Sequence, residues 1–131
     1  MKVLVVDDSV AVQKSFGALL HAAPGVFVVG YAEDVAGALA SIASNAPDLI
    51  VLDANLRGQD RGLDVLRYVK QHRPEIKVVV LSQFAWISVR KSYIDAGALA
   101  YFDKGLEFQQ ARDYIADLAN AESAGASGLE S

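Results

Sequence analysis

Five polar residues stand where apolar runs end, and their types suit the handling of phosphate. Asp7 and Asp8 follow Val3 to Val6, Asp53 follows Leu49 to Leu52, Ser82 follows Val78 to Leu81, and Lys104 lies two residues past Phe102. Brought to one place, the three carboxylates would repel one another and resist ionisation unless a cation sat among them. A hard divalent ion answers that need, since Mg2+ takes oxygen ligands and is commonly held by carboxylates together with phosphate oxygens. A lone acid at Asp7, or the hydroxyl of Ser9, would more simply cap a helix, and that reading stands beside the metal one. A hydroxyl that donates one hydrogen bond and a lysine acting as a compact positive charge suit a phosphoryl group. Taken singly, Ser82 reads equally as a turn residue and Lys104 as a solvated surface charge, so their weight is joint. With a cation and Lys104 to stabilise charge on the transferring oxygens, the Asp53 carboxylate would serve as a nucleophile toward phosphorus.

These residues need a parallel sheet to bring them together. Leu49 to Leu52 is a short apolar run bounded by Pro47 and by Gly58 and Gly62, the pattern of a strand buried on both faces. Four more runs resemble it: Val3 to Val6, Val26 to Val29, Val78 to Leu81 and Ala98 to Phe102. Helical stripes lie between and after them. Val12, Phe16, Leu19 and Ala23 mark the first helix, Val35, Leu39, Ile42 and Ala46 the second, and Leu63, Leu66 and Val69 the third. Ile87, Tyr93 and Ile94 mark the fourth, and Phe108, Ala111, Ile115 and Leu118 the fifth. Breakers at Pro24-Gly25, Pro47, Pro74 and Gly97 separate each helix from the next strand. The alternation predicts an α/β fold, a doubly wound (βα)5 unit with one five-stranded parallel sheet and helices on both faces. With the first and third strands adjacent, Asp7, Asp8 and Asp53 converge at the carboxyl edge, where such sheets bind ligands.

Composition sets the outer bounds. A chain of 131 residues, 53% hydrophobic, is one domain with apolar residues enough for a single core. Without cysteine it has no disulfide, thiolate metal site or thiol nucleophile, which is compatible with a cytoplasmic location. The N-terminal apolar run is too short for a signal peptide, and no stretch reads as spanning a bilayer. A net charge of -4 argues against nucleic-acid binding by this domain, which would need clustered basic residues. The Ala, Ser, Gly and Glu stretch 121–131 is expected to be a flexible tail or the start of a linker, leaving residues 1–120 as the domain.

From Lys2 to about Ala119 the chain resembles the receiver domains of bacterial two-component response regulators. The residues that carry the resemblance are Asp7-Asp8, Asp53, Ser82, Tyr101 and Lys104, with Gly62-Leu63-Asp64-Val65-Leu66 opening the third helix and Gly97-Ala98 before the fifth strand. The resemblance implies the flavodoxin-like receiver fold with strand order 2-1-3-4-5. It implies that Asp53 accepts phosphate from a histidine kinase, or from a phosphotransfer protein, with Mg2+, and that the acyl phosphate is later hydrolysed. Such a domain catalyses only its own phosphotransfer and dephosphorylation and is not otherwise an enzyme. Asp7, Asp8, Asp53 and the backbone carbonyl of Asn55 are the implied metal ligands, although the Asn55 side chain could equally be a loop contact. Ser82 and Tyr101 are the implied switch pair, acting on the face formed by helix 4, strand 5 and helix 5, where a partner protein or a second copy would dock. An isolated tyrosine at this position reads more simply as a half-buried strand aromatic.

The chain departs from the family pattern in three places. Arg57 stands where proline is usual, with one extra residue before Gly62; Gln83 follows Ser82 where a small residue is usual; and Gly105 replaces proline after Lys104. A trans Lys104-Gly105 peptide is therefore expected. Gln83 and Phe84, near the mouth of the site in receivers, are expected to slow the loss of phosphate. Two other readings remain: a receiver-like interaction module that is not phosphorylated, and a phosphohydrolase acting on an external substrate. The order of the acids and the want of a cap domain count against the latter. The segment Ala100-Tyr101-Phe102-Asp103-Lys104 with Glu107-Phe108 resembles receivers that stand alone or precede a helix-turn-helix.

Overall fold

The computed structural model describes the backbone of residues 1–83 and 86–130, and their side chains as far as Glu122. Five strands alternate with five helices: β1 (Lys2–Val6), α1 (Val10–His21), β2 (Phe27–Ala32), α2 (Val35–Asn45), β3 (Leu49–Leu52), α3 (Gly62–His72), β4 (Lys77–Ser82), α4 (Ile87–Asp95), β5 (Ala100–Asp103) and α5 (Phe108–Glu130). All pairings are parallel and the sheet order is β2-β1-β3-β4-β5, the receiver order.

The apolar runs are continuous because the sheet is covered on both sides. Leu4, Val6, Ile50, Leu52, Val78 and Val80 face a core with Ile42, Val65, Leu66, Val69 and Tyr93 from α2, α3 and α4. Their sequence neighbours Val3, Val5, Leu49, Val51, Val79 and Leu81 face a second core with Phe16, Leu20, Ala111 and Ile115 from α1 and α5. Each fully buried aliphatic or phenyl side chain contributes roughly 1.5–3 kcal/mol, so the central strands are the most strongly fixed part of the molecule. The residues that follow them inherit that rigidity.

Several expectations change in detail. β2 runs on through Gly30-Tyr31-Ala32, past the Val26 to Val29 stretch, because its pairing with β1 slips by one residue: Val3 pairs Val28 while Leu4 pairs Gly30. As an edge strand it leaves Phe27 and Tyr31 exposed. β5 starts at Ala100 rather than Ala98, after the Gly97 turn. The stripe read for the fourth helix holds at Tyr93 and fails at the two isoleucines. Ile87 and Ile94 face outward, 85% and 42% exposed, and α4 packs through Tyr93 with Val89 and Ala96. The backbone of α5 is helical as far as Glu130. Side chains of 123–131 lie outside the described residues. Among the described residues, no helix is long and apolar enough to cross a membrane.

Candidate functional site

β1 and β3 lie side by side, Val6 opposite Leu52, so the residues that follow them meet at the carboxyl edge of the sheet. Asp7, Asp8 and Asp53 each offer an oxygen there, and these oxygens lie within 4.8 Å of one another. Asp7 and Asp53 are buried while Asp8 forms the exposed lip. The Asp7 amide donates to Ala32 at 2.9 Å and the Asp53 amide to Val6 at 2.9 Å, which prolongs the ladders and fixes both backbones. Ser9 caps α1, its hydroxyl accepting from the Val12 amide at 3.3 Å. Asp7 is thereby released from capping and takes the Ser9 amide at 2.9 Å on one oxygen only.

Its other oxygen meets Lys104. The ammonium lies 2.8 Å from Asp7 Oδ2 and 3.0 Å from Asp53 Oδ2, with only 10% of the lysine side chain exposed. Burial pushes the Asp7 carboxyl above its ordinary value, with the Asp53 charge adding to the rise and hydrogen bonds from Lys104 and Ser9 pulling down. Burial also works against the Lys104 charge, but the Asp7 hydrogen bond and the Asp53 charge outweigh it and raise its pKa. Three acids against one ammonium leave the cluster short of positive charge, and every donor is a hard oxygen, so Mg2+ fits these residues.

The loop bearing Lys104 is organised by Asp103. Its carboxylate accepts from the Gly105 amide at 2.7 Å and the Leu106 amide at 2.9 Å, closing a tight turn without proline. The Lys104-Gly105 peptide is trans, as expected. The Lys104 amide donates to the Ser82 carbonyl at 2.9 Å.

Ser82 is fully buried on the same face of β4 as Val78 and Val80. Its side chain is hydrogen-bonded with Tyr101, whose phenol burial pushes up while the serine pulls down. Tyr101 is 4% exposed, buried rather than half-buried. The cavity over the acids, about 270 Å³, is lined by Asp8, Ser9, Val12, Asp53, Asn55, Gln83 and Lys104, so Gln83 rather than Ser82 reaches its wall. Phe84 lies outside the described residues.

After Asp53 the chain pinches into a small antiparallel bridge between Asn55 and Arg61. Gly62 donates to Ala54 and Leu56 to Asp60, each at 2.9 Å, so neither the amide nor the carbonyl of Asn55 is used in the bridge. Its amide points instead at Asp53 Oδ1, 3.2 Å away, and in extended backbone the carbonyl of the same residue faces the same side. The extra residue is absorbed by a 3-10 turn, Arg57–Gln59, in which Gly58 and Gln59 have φ of 69° and 65°. Arg57 pairs with Glu33 at 2.8 Å and Asp60 accepts from the Val35 amide at 3.0 Å, pinning the loop to the turn before α2. Sequence reading missed both anchors, as it missed Asp103; loop charges give no periodic signal. Gly62 is required by closeness: a Cβ there would strike the carbonyl oxygen of Asp53.

A five-stranded parallel α/β sheet of order β2-β1-β3-β4-β5, with buried acids and a lysine meeting at its carboxyl edge, defines the class of fold. The sequence pattern of the response regulator receiver domain matches residues 3–116, and the chain belongs to that family, which places it in two-component signalling. It is similar to the transcriptional regulatory protein LiaR of Bacillus subtilis, 33% identical over all of this chain and 60% of LiaR. It is also similar to protein-glutamate methylesterase/protein-glutamine glutaminase 1 of Syntrophus aciditrophicus, 37% identical over 87% of this chain and 32% of that protein. The chain thus spans a third to three fifths of the length of these relatives. Among solved structures, the receiver domain of NtrX from Brucella abortus is 31% identical with a TM-score of 0.77, covering 89% of this chain and 96% of that one.

Proposed function

We propose that this receiver is a phosphorylation-controlled switch whose acceptor is Asp53. The observation that carries the reading is the meeting of Asp53 with Lys104, with Asp8 in the same open cavity and with the buried Asp7 beside it. Asp7, Asp8, Asp53 and the Asn55 carbonyl would hold Mg2+, which when bound supplies positive charge to the oxygens of the transferring group. The protein's own residues do the rest. Asp53 attacks phosphorus in line, the phosphorus–nitrogen bond to the donor's histidine breaks as the phosphorus–oxygen bond forms, and Lys104 pairs with a phosphoryl oxygen. Water later attacks phosphorus, returning the carboxylate and inorganic phosphate.

The Ser82 hydroxyl would donate to a phosphoryl oxygen and so leave Tyr101, which supports a switch running from Asp53 to β5. The readout is the face made by α4, β5 and α5, where Ile87, Ile94 and Leu99 are exposed for a protein partner or a second copy. The phosphate donor would be a sensor histidine kinase or phosphotransfer protein in the cytoplasm, and residues 1–120 would suffice for the switch. Incubation with Mg2+ and a small acyl phosphate should add one phosphoryl mass to the parent and none to Asp53→Asn. An equal adduct on the variant overturns the assignment, and no adduct on the parent favours the interaction-module reading.

A further inference from the structure

Helix α4 holds the buried ring of Tyr101 with two side chains three residues apart, a spacing that puts them on one helix face. The Arg90 guanidinium carbon lies 5.4 Å from the ring centroid, over its face. The Tyr93 ring meets Tyr101 edge-on, centroids 5.7 Å apart and planes at 66°. Each of the two also reaches past Tyr101 to a loop of the site. The Tyr93 hydroxyl donates to the carbonyl of Ala54, the residue after Asp53, at 3.3 Å. Arg90 donates through Nη1 to the Tyr101 carbonyl and through Nη2 to Glu107 Oε1, each at 3.3 Å. That same Glu107 oxygen accepts from the Asp103 amide at 2.9 Å, so Arg90 and Glu107 bracket the turn that carries Lys104.

We propose that Arg90 and Tyr93 are positioning residues, through which α4 sets the placement of Lys104 and Asp53 respectively. The site's two reacting ends are then held by one helix, independently of the Ser82 hydroxyl. Because such coupling is reciprocal, a partner that shifts α4 by its exposed face, Ile87 and Ile94, alters the hold on a phosphoryl group, and the phosphoryl group alters the hold on the partner by the same factor. The two arms differ in kind. Tyr93 is buried and bonds a backbone carbonyl that phenylalanine cannot reach, whereas Arg90 acts through a half-exposed ion pair and a planar fork that lysine reproduces only in part.

Hydrogen exchange in the metal-free protein tests the mechanical part without any phosphoryl chemistry. Tyr93→Phe should speed exchange several-fold in the loop 54–62 and leave 103–107 unchanged, and Arg90→Met should do the reverse. Beryllofluoride titration at saturating Mg2+ tests the part that rests on the phosphorylation reading. Each variant should bind about three- to tenfold more weakly, the range set by one hydrogen bond, with Arg90→Lys intermediate between Arg90→Met and the parent. Unchanged exchange in both loops, or a rise that extends equally to α1, overturns the proposal. If the parent itself takes up no beryllofluoride, the phosphorylation reading falls and the exchange result alone decides whether α4 positions the two loops.

Discussion

Replacing Lys104 with methionine keeps the unbranched apolar stem, one atom shorter, and removes the positive charge that bridges both buried acids. Asp7 and Asp53 are 3% and 6% exposed, and the ammonium lies 2.8 and 3.0 Å from them. At an effective dielectric constant near 20, each such contact carries about 6 kcal/mol of attraction before desolvation is subtracted. Removing one partner of a buried pair typically costs about 3–5 kcal/mol, because the remaining charge is left uncompensated. Lys104→Met should therefore lose roughly 3 kcal/mol in urea unfolding at neutral pH without metal. Two conditions should recover much of that loss. Saturating Mg2+ supplies the missing charge and stabilises the variant more than the parent. Acid should also narrow the gap. Asp7 already has a raised carboxyl pKa in the native state, so as pH falls the native state takes up its proton before the unfolded chain does and its cost disappears. Without Lys104 to pull it down, that effect grows. A variant as stable as the parent at neutral pH without metal, or a loss that Mg2+ leaves untouched, would refute the reasoning.

The remaining expectations concern the neighbours of the acids. Gly62→Ala should destabilise by about 1–3 kcal/mol and lower phosphate labelling in the same protein, because the added Cβ displaces the Asp53 backbone; calorimetry and intact mass check the two together. Trp86, 68% exposed beside Asn55 in a cavity of about 380 Å³, should report on the site by fluorescence. Ser82→Ala should keep the response to Mg2+ and lose most of the further response to beryllofluoride, so a variant that behaves like the parent would remove Ser82 from the coupling. Burial pushes the Tyr93 phenol from 10.0 up to about 12, so the native state keeps its proton longer than the unfolded chain. Its contribution is full below pH ~10 and is lost between about 10 and 12, at most about 2.7 kcal/mol that Tyr93→Phe should not show in alkaline urea titrations.

The strands were legible because burial on both faces makes them unbroken apolar runs, and the strand order that the resemblance implied then put Asp7, Asp8, Asp53 and Lys104 together. Asn55 followed from the resemblance, and the bridge to Arg61 supplies a geometric reason for its carbonyl to face the acids. What was hidden is polar or partner-dependent. The fourth helix exposes isoleucines and buries a tyrosine, so apolar periodicity misplaced its face. Arg57, Asp60, Arg90, Asp103 and Glu107 act through hydrogen bonds and ion pairs, some within one turn and some across the fold, which leave no periodic trace. Ser82 stood at the expected strand end, but whether its hydroxyl met the cavity or Tyr101 depended on strand register, and the register favours Tyr101.

A structure determined with Mg2+ and beryllofluoride tests the central claim most directly. The account predicts beryllofluoride on an Asp53 oxygen, Lys104 turned from the carboxylates to a fluorine, and Mg2+ among Asp7, Asp8, Asp53 and the Asn55 carbonyl. Beryllofluoride elsewhere, or Lys104 still bridging Asp7 and Asp53 with Mg2+ bound outside the cluster, would contradict it.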